Sequence, residues 1–261
     1  MTTADTRIGD RPPGVPYLGI AYSGLTLEQA AAALAARPAE AAFAYVVTPN
    51  AQHIVHLNRG EPFFTLAYRD AWLRLSDSRV LAALTKLIGG PRLPVATGSD
   101  LTALLFQSVI TADDPLVVIG GTAETDDRLR AMFGLRHLVS HRPPMGVLRN
   151  PQAIAACVEF IAAHPARFVF FAVGSPQSEV IAQHAFASGR ATGSGVCIGG
   201  ALLFLTGQVK RAPLWMRRLA LEWLYRLLAN PRGHFRRVFV DSLPLVGLVL
   251  ADRFKTRRSA K

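Results

Sequence analysis

Three short stretches of this chain carry polar groups of the kind that do chemistry. Thr48-Pro49-Asn50 supplies a hydroxyl and a carboxamide after the apolar run "FAYVV". Asp77 supplies a carboxylate, flanked by Ser76 and Ser78, after "AWLRL". "GSPQSE", from Gly174 to Glu179, supplies a turn with free backbone N–H groups, polar side chains and a helix N-terminus, which suits an anion. A fourth stretch, "RAPLWMRRLALEWLYRLLANPRGHFRR" from Arg211 to Arg237, interleaves arginines with tryptophan, leucine and tyrosine. A placed carboxylate can take a proton from an attacking hydroxyl. Guanidinium and N–H groups can stabilise the charge that develops on a departing phosphate. Together these pieces suit a substrate with a diphosphate leaving group.

Other chemistries lack their residues. There is no G-x-x-x-x-G-K-[ST] loop, no G-x-G-x-x-G turn after a strand and no G-x-S-x-G elbow. There is no Asp-x-Asp pair; Glu124-Thr125-Asp126 reads as acidic decoration of a helix start. His53 and His56 are three apart with no third ligand evident, and read as structural. Neither a metal nor a cofactor is expected. Cys157 and Cys197 are far apart and read as buried thiols.

Charge divides the chain. Residues 206–261 hold 13 Lys or Arg against 3 acidic residues, whereas residues 1–205 hold 16 against 15. The body is nearly neutral and the last segment is cationic, which argues for an anionic partner or a solvated basic face. "LPLVGLVLA" (243–251) is too short to span a membrane and has basic residues after it. It reads either as an element lying on an anionic membrane face or as a short element packed on the body.

The elements that must position these groups follow from pattern. Thr26 and Gln29 form a capping box before "LEQAAAALAAR". Strands are expected in "FAYVV", "AWLRL", "PLVVIGG", "HLVSH" and "RFVFFAV", with a Gly-bounded apolar segment at "GSGVCIGGALLFLTG". Helices are expected in "AQHIVHLNR", "LAALTKLIGG", "GSDLTALLFQSVI" with Ser99 as cap, "AETDDRLRAMFG" and "NPQAIAACVEFIAAH". Strands alternating with helices imply an α/β fold with a parallel sheet covered on both faces. Ligands of such sheets lie beyond the carboxyl ends of the strands. That picks out "TPN", "SDS", "GGTAE", "GSPQSE" and Gly199-Gly200. Residues 1–16 read as a flexible tail without a signal-peptide pattern, 17–207 as the body, and 208–261 as a basic helical appendage.

From about Thr48 to Arg237 the chain resembles the WecG/TagA/CpsF glycosyltransferases of bacterial surface polysaccharide assembly. The resemblance is carried in order by "TPNAQH", "SDSRVL", "TGSDL", "VVIGGTAE", "FFAVGSPQSE", "GGALLFLTGQVKRAPLW" and "LEWLYRLLANPRGHFRR". It implies a Rossmann-like body and a C-terminal appendage that closes the site and helps bring it to the inner face of the cytoplasmic membrane. It implies metal-independent, inverting transfer from a UDP-sugar to a polyprenyl-diphosphate-linked saccharide. By position in the motifs, Asp77 matches the family's candidate base, and Thr48 and Asn50 match its cleft-lining pair. Gly174, Pro176 and Glu179 match the G-x-P-x-x-E turn, with Gln177 and Ser178 between; Arg226 and Arg236 match two arginines. The chain departs from the family at Ser178, where Gln is usual, at Leu203, where Asp is usual, and at Arg232-Gly233, where the arginine comes one residue early.

Plainer roles stand beside these. Asp77 could cap a helix, Thr48 and Asn50 could close a turn, Gln177 and Ser178 could cap the next helix, and Glu179 could only complement a helix dipole. Trp215, Leu219, Trp223 and Leu224 are expected in a core more than at a membrane, and Glu222 is expected to pair with Arg218 and Arg226 along one helix. Two other classes remain, an inactive membrane-bound scaffold and a basic-tail nucleic-acid binder. Against the latter, the arginines lie on a leucine-rich helical pattern and the body lacks a stacking stripe, so no nucleic-acid partner is expected. A homo-oligomer is left open.

Overall fold

The computed structural model describes residues 11–259, without the side chains of residues 226, 229, 232–234, 237 and 255–259. A hairpin of β1 (Val15–Tyr17) and β2 (Ile20–Tyr22) comes first. Six further strands follow: β3 (Ala44–Val47), β4 (Leu73–Arg74), β5 (Leu116–Gly120), β6 (Leu138–His141), β7 (Phe168–Ala172) and β8 (Ser194–Cys197). They form one sheet in the order β4-β3-β8-β7-β5-β6, with every pairing parallel. β3, β5, β7 and β8 are almost continuously buried, as strands covered on both faces must be.

Parallel strands need crossovers, and helices supply them. Helix α1 (Leu27–Ala36) leads from the hairpin into β3, and the crossovers are α2 (Ala51–Asn58), α3 (Pro62–Asp70), α4 (Arg79–Ile88), α5 (Gly98–Ser108), α6 (Ala123–Phe133), α7 (Pro151–Ala163) and α8 (Gln177–Ser188). After β8 come α9 (Ala201–Leu205), α10 (Leu214–Arg218), α11 (Glu222–Ala229), α12 (Pro231–Phe239) and α13 (Pro244–Ser259). Side chains cap several of the helix N-termini. Thr26 and Gln29 complete the capping box, Asn50 caps α2, and Ser78 caps α4. Thr97, not Ser99, caps α5: its hydroxyl accepts from the Asp100 N–H, and Ser99 lies inside the helix.

The main core lies between the sheet and its helices and contains Tyr45, Phe168, Phe170 and Phe171. Close packing at the sheet centre requires Gly195, where a Cβ would lie 2.5 Å from Phe43 Cζ. A second apolar cluster joins the hairpin, α2, α4 and α13 through Tyr22, Ile54, Leu81, Leu245 and Val249. The "LPLVGLVLA" stretch therefore packs on the body, as the second of its two readings expects, and continues as a helix to Ser259. Buried Arg74 ties the hairpin to the sheet, donating to the carbonyls of Ala21, Tyr68 and Ala71. Burial lowers its pKa to about 10.

The appendage corrects two expectations. Trp215, Leu219 and Trp223 are exposed, Trp215 by 60 %, because short α10 turns only Met216 inward. Arg218 and Glu222 do not share a helix. The chain breaks at Ala220, which has a φ of 59°, so α10 ends before α11 begins.

Candidate active site

The carboxyl ends of four neighbouring strands, β4, β3, β8 and β7, form one edge. Beyond it lies a cavity of about 560 Å³. Its floor comes from Thr48 and Asn50 after β3, Asp77 after β4, Gly174 and Ser175 after β7, and Ile198 to Ala201 after β8. Its cover comes from the appendage, through Glu222, Trp223, Phe239, Leu243 and Val246. The turn at Gly120-Gly121 after β5 does not reach it.

Local geometry explains the convergence. The Asp77 N–H donates to the Pro49 carbonyl at 3.0 Å, which pins the β4 loop to the β3 loop. Asp77 Oδ2 accepts from the Gly98 N–H at 3.3 Å, at the start of α5. Gly98 leaves room for this: a Cβ there would lie 3.0 Å from Thr48 Oγ1 and 3.8 Å from Asp77 Oδ2. The Asn50 side-chain oxygen accepts from the N–H groups of Gln52 and His53, so it does cap a helix. Its amide nitrogen lies 3.4 Å from His53 Nε2. His53 Nδ1 in turn lies 2.7 Å from the Tyr68 hydroxyl. His56 pairs instead with Glu61. Among the described residues no group of three or more His, Cys, Asp or Glu could hold a metal ion.

Of the Gly174–Glu179 turn, only its first two residues and its last line the cavity. Gly174 takes a φ of 81°, a conformation that favours glycine. Pro176 is the cap position of α8 and Gln177 its first residue; neither lines the cavity. Ser178 is buried and donates to the Phe171 carbonyl at 3.0 Å, so its hydroxyl fastens α8 to β7. Glu179 does line the cavity and is only 4 % exposed. Its Oε2 has no hydrogen-bond partner among the described residues. Burial raises its pKa from 4.5 to about 7, against smaller opposing hydrogen bonds from its own backbone and from Ser175. Burial also drives the Cys197 thiol at the same edge well up, with the Glu179 charge adding to it.

The matched arginines stand differently. The side chains of Arg226 and Arg232, like Gly233, lie outside the described residues. Arg236 is exposed on α12 and does not line the cavity. Leu203 does line it. Motif reasoning passed over Arg79, the first residue of α4, which lines the cavity beside Ser78. It also passed over Arg211 and Arg217, which share the Asp100 carboxylate with Arg79. Arg79 and Arg211 lie within the stretches "SDSRVL" and "GGALLFLTGQVKRAPLW", where no role was attached to them, and Arg217 carried only general positive charge.

A parallel sheet with its cleft beyond the carboxyl ends of four strands defines a Rossmann-like α/β protein. The chain has a match in a known family. The model of the "Glycosyl transferase WecG/TagA/CpsF family" covers residues 15–259, and the chain belongs to this family. It is thus a glycosyltransferase of cell-surface polymer synthesis.

Proposed function

We propose that this protein is an inverting, metal-independent glycosyltransferase that moves a sugar from a UDP-sugar to a polyprenyl-diphosphate-linked acceptor. The observation that carries this reading is the meeting of Asp77, Thr48 and the α5 N-terminus on the floor of a cavity large enough for such a donor. In this reading Asp77 takes the proton of the acceptor hydroxyl as it attacks the anomeric carbon. The new C–O bond forms on the face opposite the bond to the UDP oxygen, and UDP departs with that electron pair. Thr48 and Asn50 orient the sugar. The Gly174 backbone and Glu179 face the donor, and Ser178 holds that turn in place. Arg226 and Arg232 are assigned to the diphosphate, where guanidinium groups offset the growing charge, and Arg236, which lies outside the cavity, is not.

The proposed work place is the inner face of the cytoplasmic membrane. Exposed Leu214, Trp215, Leu219, Leu228, Phe235 and Phe254 stand among the arginines of the appendage. Apolar and cationic groups interleaved on short helices support lying on an anionic lipid surface. Among the described residues no helix is long and apolar enough to cross a membrane. A panel of UDP-sugars, each added at saturating concentration in EDTA, tests the reading by thermal melting. One sugar is expected to raise Tm beyond UDP alone. A panel in which neither UDP nor any UDP-sugar shifts Tm would sink it.

A further inference from the structure

Three guanidinium groups converge on one carboxylate at the edge of the cavity. Asp100 Oδ1 receives Arg211 Nη1 at 2.7 Å and lies 3.6 Å from Arg217 Nη1; its Oδ2 receives Arg79 Nη2 at 3.2 Å. The Thr97 hydroxyl donates to the same Oδ2 at 2.8 Å. The group is partly buried: the Arg79 side chain is 33 % exposed, and Arg211 and Arg217 are 20 % exposed. Burial alone would raise the Asp100 pKa, but hydrogen bonds from Arg211 and Thr97 and the nearby positive charges outweigh it and lower it. Asp100 is thus ionised, and one negative charge faces three positive ones. Each of the three arginines also has a buried Nε without a hydrogen-bond partner among the described residues. Clustered like charges in a half-buried place are unfavourable unless a counter-charge joins them.

The surroundings point the same way. Arg79, Thr97 and Ser99 line the cavity. Helices α4 and α5, of 10 and 11 residues, both direct their N-termini to this edge, capped by Ser78 and Thr97. Helix N-termini add positive potential and suit phosphate oxygens. We propose that Arg79, Arg211 and Arg217 form a diphosphate-binding site at the cleft edge, with Asp100 holding the three guanidinium groups in a fork. This site rests on the glycosyltransferase reading and adds to it. Arg79 comes from the body, Arg211 from the segment after α9 and Arg217 from α10, so an anion bound among them ties the appendage to the body.

A diphosphate reaches the cleft from two sources in this reaction, the nucleotide of the donor and the lipid carrier of the acceptor. Calorimetric titration of the full chain with UDP, uridine and geranyl diphosphate separates them. Arg79→Gln and Arg217→Gln are the variants, because these two make the longer contacts with Asp100 and leave it the Arg211 bond. Each is expected to weaken a diphosphate probe about tenfold while leaving uridine unchanged. The salt dependence of binding is expected to become shallower as well. Loss confined to UDP assigns the donor diphosphate; loss confined to geranyl diphosphate assigns the lipid. If wild type binds a diphosphate and both folded variants bind it equally well, the site is wrong while the glycosyltransferase reading stands. If one variant fails to fold, the other decides. If wild type binds neither diphosphate, the proposed UDP-sugar donor and lipid-diphosphate acceptor fail and take the site with them.

Discussion

Glu179→Gln has an effect whose sign and size follow from the structure. The carboxyl is buried against the cleft, and its pKa rises from 4.5 to about 7 because burial penalises the charged form. Each tenfold in proton affinity is worth 1.36 kcal/mol, so ionising Glu179 inside the fold costs about 3 kcal/mol more than in the unfolded chain. Between pH 4.5 and about 7 the folded protein keeps a proton that the unfolded chain has released. Stability therefore falls as pH rises through that window, and the loss is complete above it. Glutamine has nearly the shape of the protonated carboxyl and does not ionise, so the variant escapes this loss. Urea denaturation of both proteins at pH 5, 6, 7 and 8 isolates the difference, because other titrating groups cancel. The variant should match wild type near pH 5 and exceed it by about 3 kcal/mol at pH 8. A gap that stays constant with pH, or narrows as pH rises, would refute the assignment of a buried carboxyl that ionises against its surroundings.

Two further substitutions test the frame around the cleft. Gly195→Ala places a Cβ 2.5 Å from Phe43 Cζ and 3.0 Å from both Phe171 Cε2 and Tyr45 Cβ, in a central strand whose neighbours cannot retreat. Overpacking of this kind costs about 1–3 kcal/mol and should lower Tm by about 5 °C in a melting scan; an unchanged Tm contradicts the packing. Asn50→Ala removes the cap of α2 and should cost about 1 kcal/mol, whereas Asn50→Asp keeps the cap and changes only the amide. If the amide touches substrate, the Asp variant melts like wild type yet turns over more slowly; equal turnover reduces Asn50 to a cap.

Much of the fold was legible because its signals are local. Apolar β-rich runs bounded by Gly, Pro or Asp gave the strands, and the capping box at Thr26 fixed the start of α1. The cap of α5 went to the wrong residue because Thr97 and Ser99 are both good caps, and only the Asp100 N–H decides between them. Strand order was not legible, since β8 inserting between β3 and β7 depends on which faces helices can cover. At the site, Thr48, Asn50 and Asp77 follow their strands directly, so the rule that ligands lie at strand ends found them. Ser178 misled because a hydroxyl next to a cleft can turn to a backbone carbonyl instead. The Arg79–Arg211–Arg217 group was not legible because Arg79 is far in sequence from Arg211 and Arg217 and meets them only at Asp100 in the fold. The exposure of Trp215 and Trp223 was missed for a related reason, since helical spacing does not say which face finds a partner.

The most direct test of the account is the rate of UDP release by wild type and Asp77→Asn in EDTA, with the UDP-sugar that stabilises the chain and a lipid-linked acceptor. Asparagine keeps an acceptor oxygen for the Gly98 N–H but is no base. The account predicts a kcat about 10²- to 10⁴-fold lower with a similar donor KM and an unchanged Tm. UDP release by the variant at the wild-type rate would contradict the assignment of Asp77 as the base and, with it, the mechanism built on this cleft.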